Sequence, residues 1–164
     1  MANQTMEDKA KIAEELFLQG YNCSQSVLAA FSDELGMNRE TALRLSSSFG
    51  GGMGRLREVC GTVSGMFMVA GLKYGYSHPK DGTAKTKHYQ RIQTLAERFK
   101  AENGSIVCRE LLGLPKGPDA PIPEERTPIY YRKRPCAQLV RCAAQIMKEY
   151  MEENQDENSD HNGR

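Results

Sequence analysis

Apolar residues recur along most of this 164-residue chain at spacings of three and four, the period of a helix with one buried face. The first run, Met6 to Gln19, sets Ile12, Leu16 and Phe17 or Leu18 on one side and meets Gly20, which suits a helix carboxyl end. Asn22 can cap a second helix, with Gln25 as its reciprocal partner. Val27, Leu28, Phe31 and Leu35 form its stripe, and Gly36 stops it. Asn38 opens a short third helix through Ser47. A loop over Gly50 to Gly54 then leads into EVCGTVSGMFMVAGLKYG, which reads as a central helix. Beyond the loop YSHPKDGTAK, a charged amphipathic helix is expected over residues 85–103, with Tyr89, Ile92, Leu95, Ala96 and Phe99 inward. Gly104 ends it, and Ser105 caps a short helix bearing Cys108 and ending near Gly113. Six prolines between Leu114 and Pro135 favour extended backbone and turns, and Pro135 suits the first turn of a last helix to Glu152. No segment alternates as a strand. The pattern predicts an all-α fold: a single compact bundle of about six helices over residues 1–152, a proline-rich loop before the last helix, and a disordered polar tail over 153–164.

The glycines of the central helix change this picture. Gly61 and Gly65 stand four apart, as do Gly71 and Gly75, and on a helix such pairs share a face. Each interior glycine costs about 0.5–1 kcal/mol relative to alanine, so close packing of another backbone or a nearby ligand has to offset it. The apolar run from Val63 to Leu72 is too short to span a bilayer, which excludes a transmembrane glycine pair. Charge narrows the function classes further. With 22 basic and 21 acidic residues, composition gives no case for nucleic acid or an anionic membrane. The amino end, MANQTMEDKAKIAEELF, has no basic n-region and apolar h-region of a signal peptide, so a cytoplasmic protein without membrane insertion is expected.

Cysteines carry the candidate chemistry. They stand at 23, 60, 108, 136 and 142, an odd count that argues against a secreted disulfide framework. The spacings hold no CxxC, no CxxCH for covalent haem and no paired zinc knuckles. Four of them share one setting: Cys23 after the Asn22 cap, Cys60 at the start of the central helix, Cys108 in a first turn and Cys136 after Pro135. Free N–H groups and the positive dipole end favour a thiolate there, and Arg55, Arg57, Arg132, Lys133 and Arg134 add positive potential. Such thiolates suit redox exchange, nucleophilic attack or metal ligation, whereas any one alone reads as a buried inert thiol. Cys142 lies six residues past Cys136, about 120° around the helix, and reads as packing.

These residues resemble a known family. The segments GYNCSQSVLAAF, FGGGMGRLREVCGTVSGMFMVAGLKYG, CRELLG and CAQLVRCAAQIM are similar to the C_GCAxxG_C_C family of redox-active proteins, over Ala13 to Tyr150. The resemblance maps the family cysteines onto Cys23, Cys60, Cys108 and Cys136 and leaves Cys142 outside. One departure is Thr62, between Gly61 and Gly65, where the family pattern has alanine. A related domain accompanies haem in split-Soret cytochromes c, where it is associated with an iron–sulfur centre. Covalent haem does not carry over, because CxxCH is absent; an iron–sulfur cluster of unspecified type, held by the four cysteines, does. Gly51, Gly52, Gly61 and Gly65 would then let backbone approach it. The same relatives imply a homodimer.

Other motifs read more plainly. GGGMG lacks the GK[ST] ending and preceding strand of a phosphate cradle and reads as a tight turn. His78 and His88 read as solvated, His161 falls in the tail, and Glu58 beside Cys60 reads as a surface or salt-bridged carboxylate. Tyr130 and Tyr131, with the basic run after them, read as a solvated loop. The sequence therefore predicts a four-cysteine redox protein, with a metal centre for electron transfer or redox sensing and an unspecified redox partner. Its alternatives are a metal-free thiol–disulfide oxidoreductase, in which the same four cysteines are catalytic and Cys60 cycles with one partner, and a helical metal-binding or interaction module without turnover.

Overall fold

A computed structural model describes residues 8–157. Within it the chain forms α1 (Lys9–Leu18), α2 (Cys23–Ser32), α3 (Arg39–Ser46), α4 (Gly61–Tyr74), α5 (Gly82–Asn103), α6 (Cys108–Leu112), α7 (Pro128–Lys133) and α8 (Cys136–Glu153). The all-α expectation holds. Among the described residues the only strand-like pairing is a single antiparallel bridge of Val59 with Val107.

Side-chain caps explain most of the boundaries. Asn22 accepts from the Gln25 amide at 2.9 Å while the Gln25 side chain accepts from the Asn22 amide at 3.0 Å, a reciprocal box that fixes the start of α2. Asn38 accepts from Thr41 N–H and opens α3. α5 begins three residues earlier than the sequence suggests, because Asp81 accepts from Ala84 N–H and carries the helix over Gly82. Ser105 is not the cap of α6. Val107 occupies that position, and the Ser105 hydroxyl instead receives the Val107 amide. α7 lies inside the expected extended loop, where Thr127 caps it and Pro128 takes the first turn, in which a missing N–H costs nothing.

α2 packs along α4, α1 along α8, and α4, α5 and α8 close around one core. Leu28, Phe31, Val63, Met66, Val69, Leu95, Phe99, Val140 and Met147 are fully buried there. Ala10 and Ala13 join Leu16 and Phe17 on the inner face of α1 and leave Leu18 outside, whereas Ile12 and Tyr89 are exposed, contrary to expectation. Of the four glycines in two pairs, only Gly61 and Gly65 admit a neighbour. A Cβ at Gly65 would sit 2.8 Å from the Ser24 carbonyl oxygen, and one at Gly61 would strike the Cys23 sulfur. α2 thus lies directly on the first turns of α4. Gly71 faces open space and Gly75 caps the helix end. The polar tail starts later than Glu153: Arg98 forks Glu153, and residues 154–157 turn back so that Glu157 pairs with Arg91 at 3.1 Å. Met6, the rest of the tail and His161 lie outside the described residues.

Candidate functional site

Four helices start at one place. Cys23, Cys108 and Cys136 are the first residues of α2, α6 and α8, and Cys60 caps α4. All four line a single cavity of about 280 Å³. The Val59–Val107 bridge joins two of them: the Cys60 amide donates to Ile106 O at 2.8 Å and the Cys108 amide to Glu58 O at 2.6 Å. Cys23 is set against α4 by the missing side chain of Gly61. Cys142 is elsewhere, between α5 and α8, where it donates to Glu102 at 3.0 Å and accepts from Asn103 at 3.4 Å.

The turn that borders the cavity is left-handed. From Gly51 to Arg55 five successive residues have φ between 61° and 69°, and Arg57 follows at 61°. Met53, Arg55 and Arg57 each carry a Cβ in this region, at roughly 1–2 kcal/mol apiece. Surrounding contacts must over-determine such a turn, a pattern that clusters at ligand sites. Here it aims the Gly51 amide at the Cys23 sulfur. Within the stretch from Gly51 to Arg55, Gly52 is the tightest point. A Cβ there would lie 2.6 Å from Cys108 Cβ and 2.8 Å from Arg57 Cα.

Two arginines of this turn tie the site to the proline-rich segment. Buried Arg57 donates through Nη1 to Cys108 Sγ at 3.5 Å and through Nε to Asp119 at 2.7 Å, and Arg55 donates to Ala120 O at 2.7 Å. Glu124 pairs with Arg134 and lies 3.9 Å from Arg55. Arg126 reaches across to α1, donating to Phe17 O at 3.0 Å and Tyr21 O at 3.1 Å, with its guanidinium 4.1 Å over the Phe17 ring. Arg55, Arg57, Arg126 and Arg134 line the cavity with Glu124, beside Phe17, Tyr130 and Leu139.

Burial reverses one expectation about the thiols. Helix amino ends favour thiolates, yet desolvation pushes Cys23 and Cys60 up and takes Cys136 up to about 12. Each of these three is raised further by the charge of a neighbouring cysteine, Cys108 for Cys23, and Cys23 first for Cys60 and Cys136. The Gly51 amide offsets this at Cys23, as do the Thr62 hydroxyl and amide at Cys60, and Arg134 and Arg126 at Cys136. Thr62, the departure from the family pattern, is fully buried with its hydroxyl 3.0 Å from Cys60 Sγ. Burial therefore opposes ionising these sulfurs together, and the arginines that line the cavity offset it only in part. Among the described residues no three His, Cys, Asp or Glu side chains stand close enough to hold one metal ion. The four thiols instead line the cavity separately, each at its own helix start.

The remaining candidates divide between the cavity wall and the rest of the molecule. Gly51 lines it, Gly52 and Gly61 stand behind Cys108 and Cys23, and Gly65 serves helix packing. Glu58 is exposed and pairs with Arg109 at 3.4 Å. His78 is exposed, and His88 binds Arg91. Tyr130 and Arg134 form cavity wall in place of solvated loop, while Arg132 and Lys133 are exposed. Asp119, Glu124 and Arg126 escape a sequence reading, because their partners lie 62 to 109 residues away or across a loop with no periodic signal. Proline spacing marks only that the segment is irregular.

Residues 21–150 match the family described as "Putative redox-active protein (C_GCAxxG_C_C)", and the chain belongs to that family. No curated protein and no solved structure matches it. Among the described residues no helix is long and apolar enough to cross a membrane.

Proposed function

From its membership of this redox-active family, we propose that the chain binds an iron–sulfur cluster on Cys23, Cys60, Cys108 and Cys136 and uses it for electron transfer or redox sensing. One observation carries the reading: four thiols from four helix amino ends meet in one cavity whose lining has four arginines and one glutamate. That excess of cations suits a group that is anionic once four thiolates have joined it. When bound, the cluster supplies one-electron chemistry at a potential set by hydrogen bonds to its sulfurs and by burial. The chain's own part is to donate from the Gly51 amide to Cys23, from Thr62 to Cys60 and from Arg57 to Cys108, which stabilises the reduced, more negative state. Phe17, Leu111 and Leu139 keep water from the sulfurs. Five free thiols suit a reducing compartment such as the cytoplasm, and a redox partner there would exchange the electron. Anaerobic purification followed by iron and acid-labile sulfide assays tests the reading. A coloured protein carrying both elements is expected; a colourless one with neither overturns it.

A second reading rests on the proximity of Cys23 to the first turn of α4. There Cys23 and Cys60 would give up two protons and two electrons to an external disulfide, forming one bond between them and leaving the oxidant as two thiols. Mass spectrometry before and after mild reduction decides it. Absence of any reversible disulfide among the four cavity cysteines sinks this alternative.

A further inference from the structure

The cavity wall formed by the proline-rich segment is held differently from the rest of the molecule. No described residue from Leu114 to Glu125 belongs to the hydrophobic core, and Ile122 is 74% exposed. Yet Pro121, Pro123 and Glu124 line the cavity. Polar contacts to the left-handed turn hold the middle of this strap. Asp119 N–H donates to Arg55 O at 2.9 Å, Arg55 Nε to Ala120 O at 2.7 Å and Arg57 Nε to the Asp119 carboxylate at 2.7 Å. Glu124 pairs with Arg134 on the other side and adds longer pairings of 3.9 and 4.0 Å with Arg55 and Arg57. The strap's ends are firmer: Leu114 N–H bonds to Arg109 O, and Arg126 is stacked and doubly bonded to α1.

A segment anchored at both ends and attached between them by a few ion pairs opens locally at far lower cost than a packed helix. The other walls are the helix amino ends, the left-handed turn beside them and α7. We propose that residues 114–125 are a gate over the cysteine cavity, latched by Asp119 on Arg57 and Arg55. Arg57 is the pivot of the latch because its guanidinium spans Asp119 and Cys108 Sγ, so the strap closes on the same cation that contacts the site. Asp119 is a positioning residue: it touches no sulfur and acts through Arg57. Arg57 in turn holds the Asp119 carboxyl below the usual carboxylate range, as a latched pair requires. The gate concerns access to the four sulfurs and stands whichever group they hold.

The test uses the reduced full chain, freed of metal by chelator, and reads each cysteine's rate of labelling by neutral iodoacetamide with mass spectrometry. Asp119→Asn should raise the rates at Cys23, Cys108 and Cys136 by about tenfold, the gain in opening when one charge-assisted hydrogen bond is lost. Cys142 should be unchanged. Tryptic cleavage after exposed Lys116 should quicken in parallel, and Glu124→Gln should add to both. Glu14→Gln, which breaks the surface pair with Arg141, should alter neither. Unchanged labelling, or labelling that rises while cleavage does not, overturns the gate, because the latter reports only the lost negative charge. Equal acceleration of Cys142 overturns it as well, since that is general loosening. None of these readings depends on bound iron, so failure of the cluster proposal is seen separately.

Discussion

α4 and α8 each begin at a cavity cysteine and carry a tyrosine toward their other end, and the two ends are finished in opposite ways. At the far end Tyr74 and Tyr150 meet edge to face, with ring centroids 5.7 Å apart. Arg91 lies 4.5 Å over Tyr74 and is bonded to the Tyr150 hydroxyl at 3.2 Å, His88 at 3.0 Å and Glu157 at 3.1 Å. That buried cation is matched by aromatic faces, hydrogen bonds and a carboxylate, as a structural clasp requires. The Tyr74 hydroxyl alone of this group is buried without a partner. At the near end the balance is reversed. Thiols tolerate burial as weak hydrogen-bonding groups, so their folded neutral state is stable. Their ionised state is not, and arginines rim a cavity that a further group can fill. A polar cluster closed on itself holds a fold together; buried thiols around a cation-rimmed cavity on strained backbone mark a place of work.

Alkali should separate the two ends most strongly. Cys23, Cys60 and Cys136 are raised above the ordinary thiol value of 9.0, Cys136 to about 12. The unfolded chain therefore sheds these protons first and binds fewer than the folded one as pH rises through this window. Stability of the reduced metal-free protein is complete below 9.0 and falls by several kcal/mol on the way to 12. Tyr74, raised from 10.0 to about 12, contributes only to the upper part, and Cys142, raised from 9.0 to about 11, is removed by running the series in Cys142→Ala, so that loss between 9 and 10 belongs to the cavity cysteines. Denaturant titrations at a series of pH values measure this directly.

Gly61→Ala comes next. Its Cβ would meet Cys23 Sγ and approach Phe49 O to 2.8 Å, and relieving that overlap should cost about 1–3 kcal/mol. Because α2 must move, iron content should fall with stability. Arg91→Met sharpens the comparison from the other side. It leaves Glu157 with only the exposed Lys87 at 3.4 Å and takes the donor from the Tyr150 hydroxyl, so a loss of about 1–2 kcal/mol is expected. Thermal melts should show that loss while iron content and cysteine labelling stay as in the parent. Cys142→Ala should do least, at most about 1 kcal/mol, since that thiol is half-buried between α5 and α8 and absent from the cavity lining.

Local physics was legible in the sequence. The Asn22 and Gln25 pair, the Asn38 cap and Pro135 place helix starts that the structure reproduces, and with them the cysteines at those starts. The rotation from Cys136 to Cys142 also reads directly from helical period. Three features were not legible, each for a tertiary reason. A run of glycines permits a left-handed turn, but its extension through Arg55 and Arg57 is held by bonds to the strap and α6. The contact of Arg126 with α1 spans more than 100 residues and leaves no local pattern. The protonation of the thiols depends on burial, which outweighs the helix-end field at Cys23, Cys60 and Cys136.

The central claim is that the cavity cysteines act as one redox site and Cys142 does not belong to it. An anaerobic redox titration followed by visible absorption, run on the parent protein, Cys136→Ser and Cys142→Ala, tests it most directly. The account predicts a reversible spectral change in the parent and in Cys142→Ala, and its loss in Cys136→Ser, because serine is a poor ligand for soft iron. A reversible change that survives in Cys136→Ser but disappears in Cys142→Ala, or no change in the parent protein, contradicts it.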